Sequence, residues 1–358
     1  MDHDPRADRR PERIDNRIAS IAVPRDRVCM TKRLPDPRVL PDVATVRAAA
    51  DRLRDVLAPS RLIRSAALSD AIGVDVYYKC EFENPTGSFK VRGAYNVLAG
   101  MTAAERTNGV VASSAGNHGL GVAFAAKAFG APAMLYVPST APQVKKDGIR
   151  ALGAIVDDQQ PNYDEAMVVA KAHGITHGLR FINPCVGVDL LAGQGTVALE
   201  LLDQCPDMAT VVICTGGGGL LGGMGAVLRE LAPTVRIIGA QSVETAAMSL
   251  SVAAGAVVPI PSTPTLADGL AGLIDEDGLH IGQYCADEMV LVSEEELGET
   301  IAWLWRTEGF VIEGAGAVTV AALRHGKIAN VAGPVVLLVS GRNIDVAKHQ
   351  MLRERYPA

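Results

Sequence analysis

Short, continuously apolar runs alternate along most of this chain with longer stretches in which apolar residues recur at helical spacing. Residues 210–214, 235–240 and 335–339 are runs rich in Val and Ile, bounded by polar or glycine-containing segments. Runs of that length between helical patterns predict strands buried on both faces, as in a parallel sheet. Residues 74–79, 109–112 and 133–137 read as further short strands. Helices are predicted over residues 43–57, where Pro41-Asp42 gives a start signal, and over 119–129, 142–152 and 221–231. The predicted class is α/β, with at least two open, twisted, mostly parallel sheets flanked by helices.

The first 40 residues break the alternation. They are rich in Arg, Asp and Pro, have little periodic apolar content, and predict a disordered arm over residues 1–40. The arm lacks the apolar centre of a signal peptide, and its aspartates disfavour a transit peptide. Met30 is a candidate start of the natural chain.

Composition narrows the function. Lys and Arg number 34 against 40 Asp and Glu, so the basic footprint of a nucleic-acid binder is missing. Six cysteines are scattered without a CxxC pair, which fits reduced thiols in a cytoplasmic protein better than disulfides or zinc. Uninterrupted apolar runs fall short of a membrane span, so a soluble protein is expected.

Candidate chemistry begins at Lys90, in the segment Asn84-Pro85-Thr86-Gly87-Ser88-Phe89-Lys90-Val91-Arg92-Gly93-Ala94. Lys90 sits between Phe89 and Val91, past a Pro-Thr-Gly turn and before the apolar residues 94–98. Apolar packing disfavours an ammonium, which would free the amine to act as a base or to form a Schiff base with a carbonyl cofactor. Its neighbours alone favour an ordinary lysine after a turn, so other motifs must decide.

Three loops follow predicted strands, where α/β sheets bind ligands. Thr215-Gly216-Gly217-Gly218-Gly219-Leu220 leads from one strand into a helix, so its free N–H groups and the helix dipole suit a phosphate. It contains no Lys or Arg and is not a P-loop. Gly217 to Gly222 also satisfies GxGxxG. A dinucleotide site needs an acid at the end of the next strand, and here Gln241-Ser242 stands there, with Glu244 too far along. Ser113-Ser114-Ala115-Gly116-Asn117-His118-Gly119 could hold a carboxylate, with Asn117 as a donor to a phenolic oxygen, or could simply cap a helix. Ser340-Gly341-Arg342-Asn343 could place a serine hydroxyl against a ring nitrogen, or be a plain turn.

Taken together, these residues resemble the fold-type II pyridoxal-phosphate enzymes, specifically the serine/threonine dehydratase family, over about residues 43–346. The resemblance implies Lys90 as the Schiff-base lysine, with Phe89 beside the cofactor ring. It implies that Gly216, Gly217, Gly218, Gly219 and Leu220 surround the phosphate, Asn117 meets the ring hydroxyl, and Ser340 meets the pyridine nitrogen. Ser114, Ala115, Gly116, Asn117 and His118 would bind the substrate carboxylate, and Glu313, in Glu313-Gly314-Ala315-Gly316-Ala317, would lie near the active site. It further implies a large cofactor-binding domain from residues 41–108 and 187–358, a small domain from 109–186, and a homodimer.

The reaction so implied is loss of water and ammonia from a β-hydroxy amino acid such as L-threonine or L-serine, with Lys90 taking the α-proton. Related racemases carry a serine directly before Gly-Asn-His, where this chain has Ala115, so elimination is expected over racemisation. Hydroxyaspartate and phenylserine are alternative substrates, and a nucleotide-binding α/β module is the competing class. The chain ends soon after its last motif, so no C-terminal regulatory domain is expected. Cation-binding relatives place an acid where Gln241 stands, and no metal is expected. Arg342 is expected to face solvent. His173 and His177 have a metal pair's spacing, but Gly174 is expected to break their helix. Ser293 before Glu294-Glu295-Glu296 predicts a capped helix start, and Trp303 and Trp305 are expected to serve packing or a subunit contact.

Overall fold

The computed structural model describes residues 28–29, 34–141 and 143–357. Its strands are β1 (Val28–Cys29), β2 (Leu62–Arg64), β3 (Val76–Cys80), β4 (Val110–Ser113), β5 (Ala133–Pro138), β6 (Ile155–Gln160), β7 (Arg180–Phe181), β8 (Thr210–Cys214), β9 (Arg236–Ser242), β10 (Glu288–Val292) and β11 (Val335–Val339). The helices are α1 (Val43–Leu53), α2 (Ala66–Ile72), α3 (Lys90–Gly100), α4 (Ala103–Asn108), α5 (Asn117–Phe129), α6 (Gln143–Ala151) and α7 (Tyr163–His177). They continue as α8 (Val188–Gln204), α9 (Gly219–Leu231), α10 (Ala247–Ala254), α11 (Glu276–Cys285), α12 (Glu294–Trp303), α13 (Gly314–Arg324) and α14 (Val346–Arg355).

The strands form a seven-stranded sheet in the order β1-β10-β9-β8-β11-β3-β2 and a four-stranded sheet in the order β6-β5-β4-β7. Only the two edge strands β1 and β2 of the larger sheet run antiparallel to their neighbours; the other described pairings are parallel. Every residue of β4, β8 and β11 is buried, as expected of strands covered by helices on both faces. The mostly parallel, two-sheet α/β class expected from the sequence is the one observed.

Several boundaries carry chemistry. Lys90 is not in a loop: α3 begins on it, so the apolar stretch at 94–98 is the middle of a longer helix. Helix α5 begins at Asn117, two residues earlier than its apolar pattern, and Gly116 at the cap position has no side chain to bond with. Asp42 caps α1 by accepting from the Thr45 N–H, and Ser293 with Glu296 forms the capping box expected for α12. Gly174 does not break its helix: α7 runs through it to His177. A Cβ there would stand 3.0 Å from Val111 Cγ1, so the glycine lets α7 approach β4 closely. Strand β6, with its sequence Ile-Val-Asp-Asp-Gln-Gln, has no apolar run to announce it, because it is an edge strand with few buried faces.

Most of the expected arm falls outside the described residues, Met30 included. Its described part is tied down: β1 pairs with β10, Val39 and Leu40 are buried, and the Asp36 N–H meets His280 Nε2 at 3.2 Å.

Two features fix the helix that carries Lys90. Its first turn lies between α5 and α8, with glycines at the closest points. A Cβ on Gly121 would stand 3.1 Å from the Lys90 carbonyl, and one on Gly193 would stand 2.6 Å from the Arg92 oxygen and the Gly93 Cα. Beneath that turn lies a buried charge quartet. Arg92 donates to both oxygens of Glu81, each at 2.8 Å, and to Glu200 Oε1 at 2.6 Å. Lys79 Nζ completes it, 2.5 Å from Glu200 Oε2. With two cations and two carboxylates the set is neutral, the condition under which buried charges are tolerated.

Candidate active site

The loops at the carboxyl ends of β8 and β11 in one sheet and β4 in the other converge with the start of α3 on one cavity of about 600 Å³. All fourteen site residues expected from sequence line it: Phe89, Lys90, Ser114, Ala115, Gly116, Asn117, His118, Gly216, Gly217, Gly218, Gly219, Leu220, Glu313 and Ser340. Its volume suits a small organic ligand.

The chain before Lys90 is stitched to the Ser340 loop. The Phe89 N–H donates to the Ser340 carbonyl at 3.1 Å, the Arg342 N–H to the Gly87 carbonyl at 2.9 Å, and Asn343 Nδ2 to the Thr86 carbonyl at 2.8 Å. Lys90 Nζ donates to the Pro184 carbonyl at 2.7 Å and stands 5.2 Å from the centre of the Phe89 ring. Arg342 itself is exposed, and its side chain is absent from the cavity lining.

The glycine loop is a cradle that side chains would fill. A Cβ on Gly217 would stand 2.5 Å from Cys185 Sγ, and one on Gly216 3.1 Å from the Leu270 backbone. Gly218 adopts φ +101, open in practice to glycine alone. Helix α9 starts at Gly219, so its unpaired N–H groups and positive dipole end meet this loop.

Opposite, Asn117 is not a helix cap. Its Nδ2 donates to Glu313 Oε1 at 2.6 Å, and its Oδ1 accepts from Asn343 Nδ2 at 2.6 Å. Burial, reinforced by the charge of Asp268, pushes the Glu313 carboxyl up to about 7 against the opposing hydrogen bond from Asn117. Burial and the nearby Lys90 charge bring the His118 imidazole down to about 3, so it is neutral. His118 Nε2 lies 3.0 Å from the Ile182 carbonyl, which can only accept, so Nε2 carries the hydrogen and the buried Nδ1 is left unpartnered. Ser340 Oγ donates to the Ala315 carbonyl at 3.3 Å, beside the Cys214 thiol that burial pushes up to about 11.

Sequence reasoning missed Pro184, Cys185, Lys145 and Asp268, which come from segments with no motif. It also gave no role to Asn343, although that residue stood inside a quoted loop. The 262–272 loop supplies part of its wall. Gln241 is buried with both ends of its amide engaged, to the Thr245 carbonyl at 2.6 Å and from the Ser249 N–H at 2.9 Å. The His173 and His177 rings lie 4.3 Å apart at a tilt of 36°, and among the described residues no three or more His, Cys, Asp or Glu are grouped as a metal would need. Trp303 lies under Arg324 and Trp305 under Arg353, which is a packing role within the chain.

Two mostly parallel, helix-flanked sheets with a lysine, a glycine cradle and a serine converging on one cavity are the architecture of a fold-type II pyridoxal-phosphate enzyme. Comparison with known proteins is specific. Residues 53–341 match the family described as pyridoxal-phosphate dependent enzyme. An L-threonine ammonia-lyase of Geobacter sulfurreducens is 38% identical over 87% of this chain and 77% of its own. A putative threonine dehydratase of Sinorhizobium fredii is 37% identical over 86% and 93%. Among solved structures, the processed threonine deaminase isoform 2 of Solanum lycopersicum has a TM-score of 0.83 and 32% identity, covering 93% of each chain. Maize serine racemase also has a TM-score of 0.83, at 27% identity, covering 89% of this chain and 98% of its own.

The chain belongs to the pyridoxal-phosphate-dependent enzyme family, among the relatives of the L-threonine ammonia-lyases. That membership sets aside the nucleotide-binding module. The cradle fits the cofactor: four glycines whose Cβ positions are already crowded present backbone N–H groups to a phosphate. No helix among the described residues is long and apolar enough to cross a membrane.

Proposed function

We propose that this protein is an ammonia-lyase that converts L-threonine or L-serine to the 2-oxo acid and ammonia. The observation that carries this reading is the convergence of Lys90, the glycine cradle, the Asn117 loop and Ser340 on one cavity. The names of the relatives supply the substrate class.

When bound, pyridoxal phosphate supplies an electron sink that eases removal of the substrate's α-proton. Lys90 would be the residue that holds it, and its Nζ would be the base that takes the α-proton. The hydrogen bond to Pro184 fixes where that amine starts. The N–H groups of the glycine loop and the α9 terminus would hold the phosphate. Ser340 would offer the ring nitrogen a neutral hydroxyl instead of a carboxylate, which would keep the sink moderate and suit departure of a β-leaving group. Ser114 and the α5 terminus would present N–H groups for the substrate carboxylate, in a loop shaped by the Gly116 N–H donating to Ser114 Oγ at 3.1 Å. Asn117, held from both sides by Glu313 and Asn343, would meet the ring hydroxyl. Ala115 provides no proton donor on the face opposite Lys90, which favours elimination over the racemase reading that the maize structure raises.

Assembly as a homodimer and a cytoplasmic location belong to the same reading; the latter is supported by the free thiols of Cys80, Cys185, Cys205, Cys214 and Cys285. The purified protein should be yellow, and borohydride should bleach it and fix the cofactor on Lys90. L-threonine or L-serine should then yield 2-oxo acid and ammonia. A colourless protein that takes up no cofactor, or a coloured one that only inverts the α-carbon, defeats the proposal.

A further inference from the structure

At the cavity wall, two charged side chains from the two sheet units meet. Lys145, on α6 of the four-stranded unit, lies 3.1 Å from Asp268, on the short turn at Asp268–Leu270 that follows α10. Both line the cavity that contains Lys90. Among the described lining residues, Lys90 and Lys145 are the only ammonium groups, while Asp164, Glu244, Asp268 and Glu313 are carboxyl groups. The other cations of α6 offer no replacement. Lys146 is buried against Asp158 at 2.9 Å, and Arg150 reaches the same Asp158 and Asp147.

We propose that Asp268 sets side-chain specificity by holding Lys145, so that a substrate with a side-chain carboxylate meets no free ammonium and is refused. The proposal rests on the lyase reading above and names the side chain that site accepts. A carboxylate entering a cavity loses water and needs a positive partner in exchange. Here the sole candidate outside the catalytic lysine is already paired, and the acids around it repel a second negative charge. A hydroxyl or methyl group at Cβ needs no such partner. The same charges act across the cavity, since Asp268 raises and Lys145 lowers the proton affinity of Glu313. Asp268 is thus a selector that works through Lys145.

The test uses holoenzyme with Asp268→Asn, Lys145→Met and the double variant. Two quantities are measured: the kcat/KM ratio of 3-hydroxyaspartate to L-threonine, and the malonate dissociation constant by calorimetry. Asp268→Asn should raise the ratio and tighten malonate binding about tenfold, the size of one charge-assisted contact partly open to water. The double variant should lose both gains, and Lys145→Met alone should show neither. A gain below about threefold in Asp268→Asn, within reach of an exposed ion pair worth little, overturns the proposal. So does a gain that survives in the double variant. If no variant eliminates any β-hydroxy amino acid, the lyase reading fails, while malonate binding still decides the role of Asp268.

Discussion

Glu81→Gln tests the buried charge quartet, because it changes one charge and almost no volume. Glu81 is fully buried and accepts from Arg92 twice at 2.8 Å, from Ser60 Oγ at 2.5 Å and from Asn84 Nδ2 at 2.8 Å. Removing its charge leaves Lys79 and Arg92 facing Glu200 alone, a net positive charge away from water. Breaking one side of a buried pair costs about 3–5 kcal/mol. Arg92→Met should cost a similar amount, by leaving two carboxylates to one lysine. The double variant restores neutrality, with Lys79 and Glu200 still paired, and should be clearly more stable than the sum of the two losses predicts. Burial works to raise the Glu81 carboxyl, but Arg92 and Lys79 outweigh it and hold it below its ordinary 4.5. Its contribution is therefore complete above pH 4.5 and is lost as pH falls through the lowered folded value. The gap between wild type and Glu81→Gln should be constant above that pH and narrow below it. Urea unfolding of cofactor-free protein, followed by circular dichroism, reads these differences without ligand linkage. A single variant within about 1 kcal/mol of wild type, against the range for a broken buried pair, refutes the argument. So does a double variant with fully additive loss.

Gly217→Ala drives a methyl group into Cys185 and should weaken cofactor binding by about tenfold or more, read by titration of absorbance; adding Cys185→Gly should restore much of it. Glu313→Gln should alter how cofactor-free stability depends on pH. With a folded value of about 7 against 4.5, this group's contribution is present below pH 4.5 and lost as pH rises through about 7, roughly 3 kcal/mol in all. The variant should lack that loss, and unchanged pH curves by urea midpoint would count against a buried, protonatable Glu313. Gly193→Ala should destabilise by about 1–3 kcal/mol, since its Cβ meets backbone on α3. Gly100→Ala, with nothing within 4 Å of its Cβ, should be neutral or stabilising in the same assay.

The interior strands β3, β8, β9 and β11 of the larger sheet were legible because burial on both faces makes them continuous apolar runs, as at 210–214 and 335–339, whereas β10, also interior, was not predicted. Strand β6 escaped because an edge strand answers to solvent, and β7, with Arg180 and Phe181, is too short for any period. The glycine loop and Lys90 were legible for a different reason: backbone donors require glycine, and a lysine among apolar neighbours is unusual. Lys145 and Asp268 were illegible, since each is an ordinary charged residue until the fold brings together positions far apart in the chain. Gly174 misled because a helical glycine is weakly unfavourable locally, whereas contact with β4 decides the matter.

The close fit of the first turn of α3 between Gly121 and Gly193 has a mechanical consequence. Each unit supplies one of those glycines, so the turn is where the two halves of the molecule bear on one another. The backbone there has no slack, so Lys90 is carried on the least compressible part of the cavity wall. A methyl group at either glycine would be felt at the reactive end of α3 first.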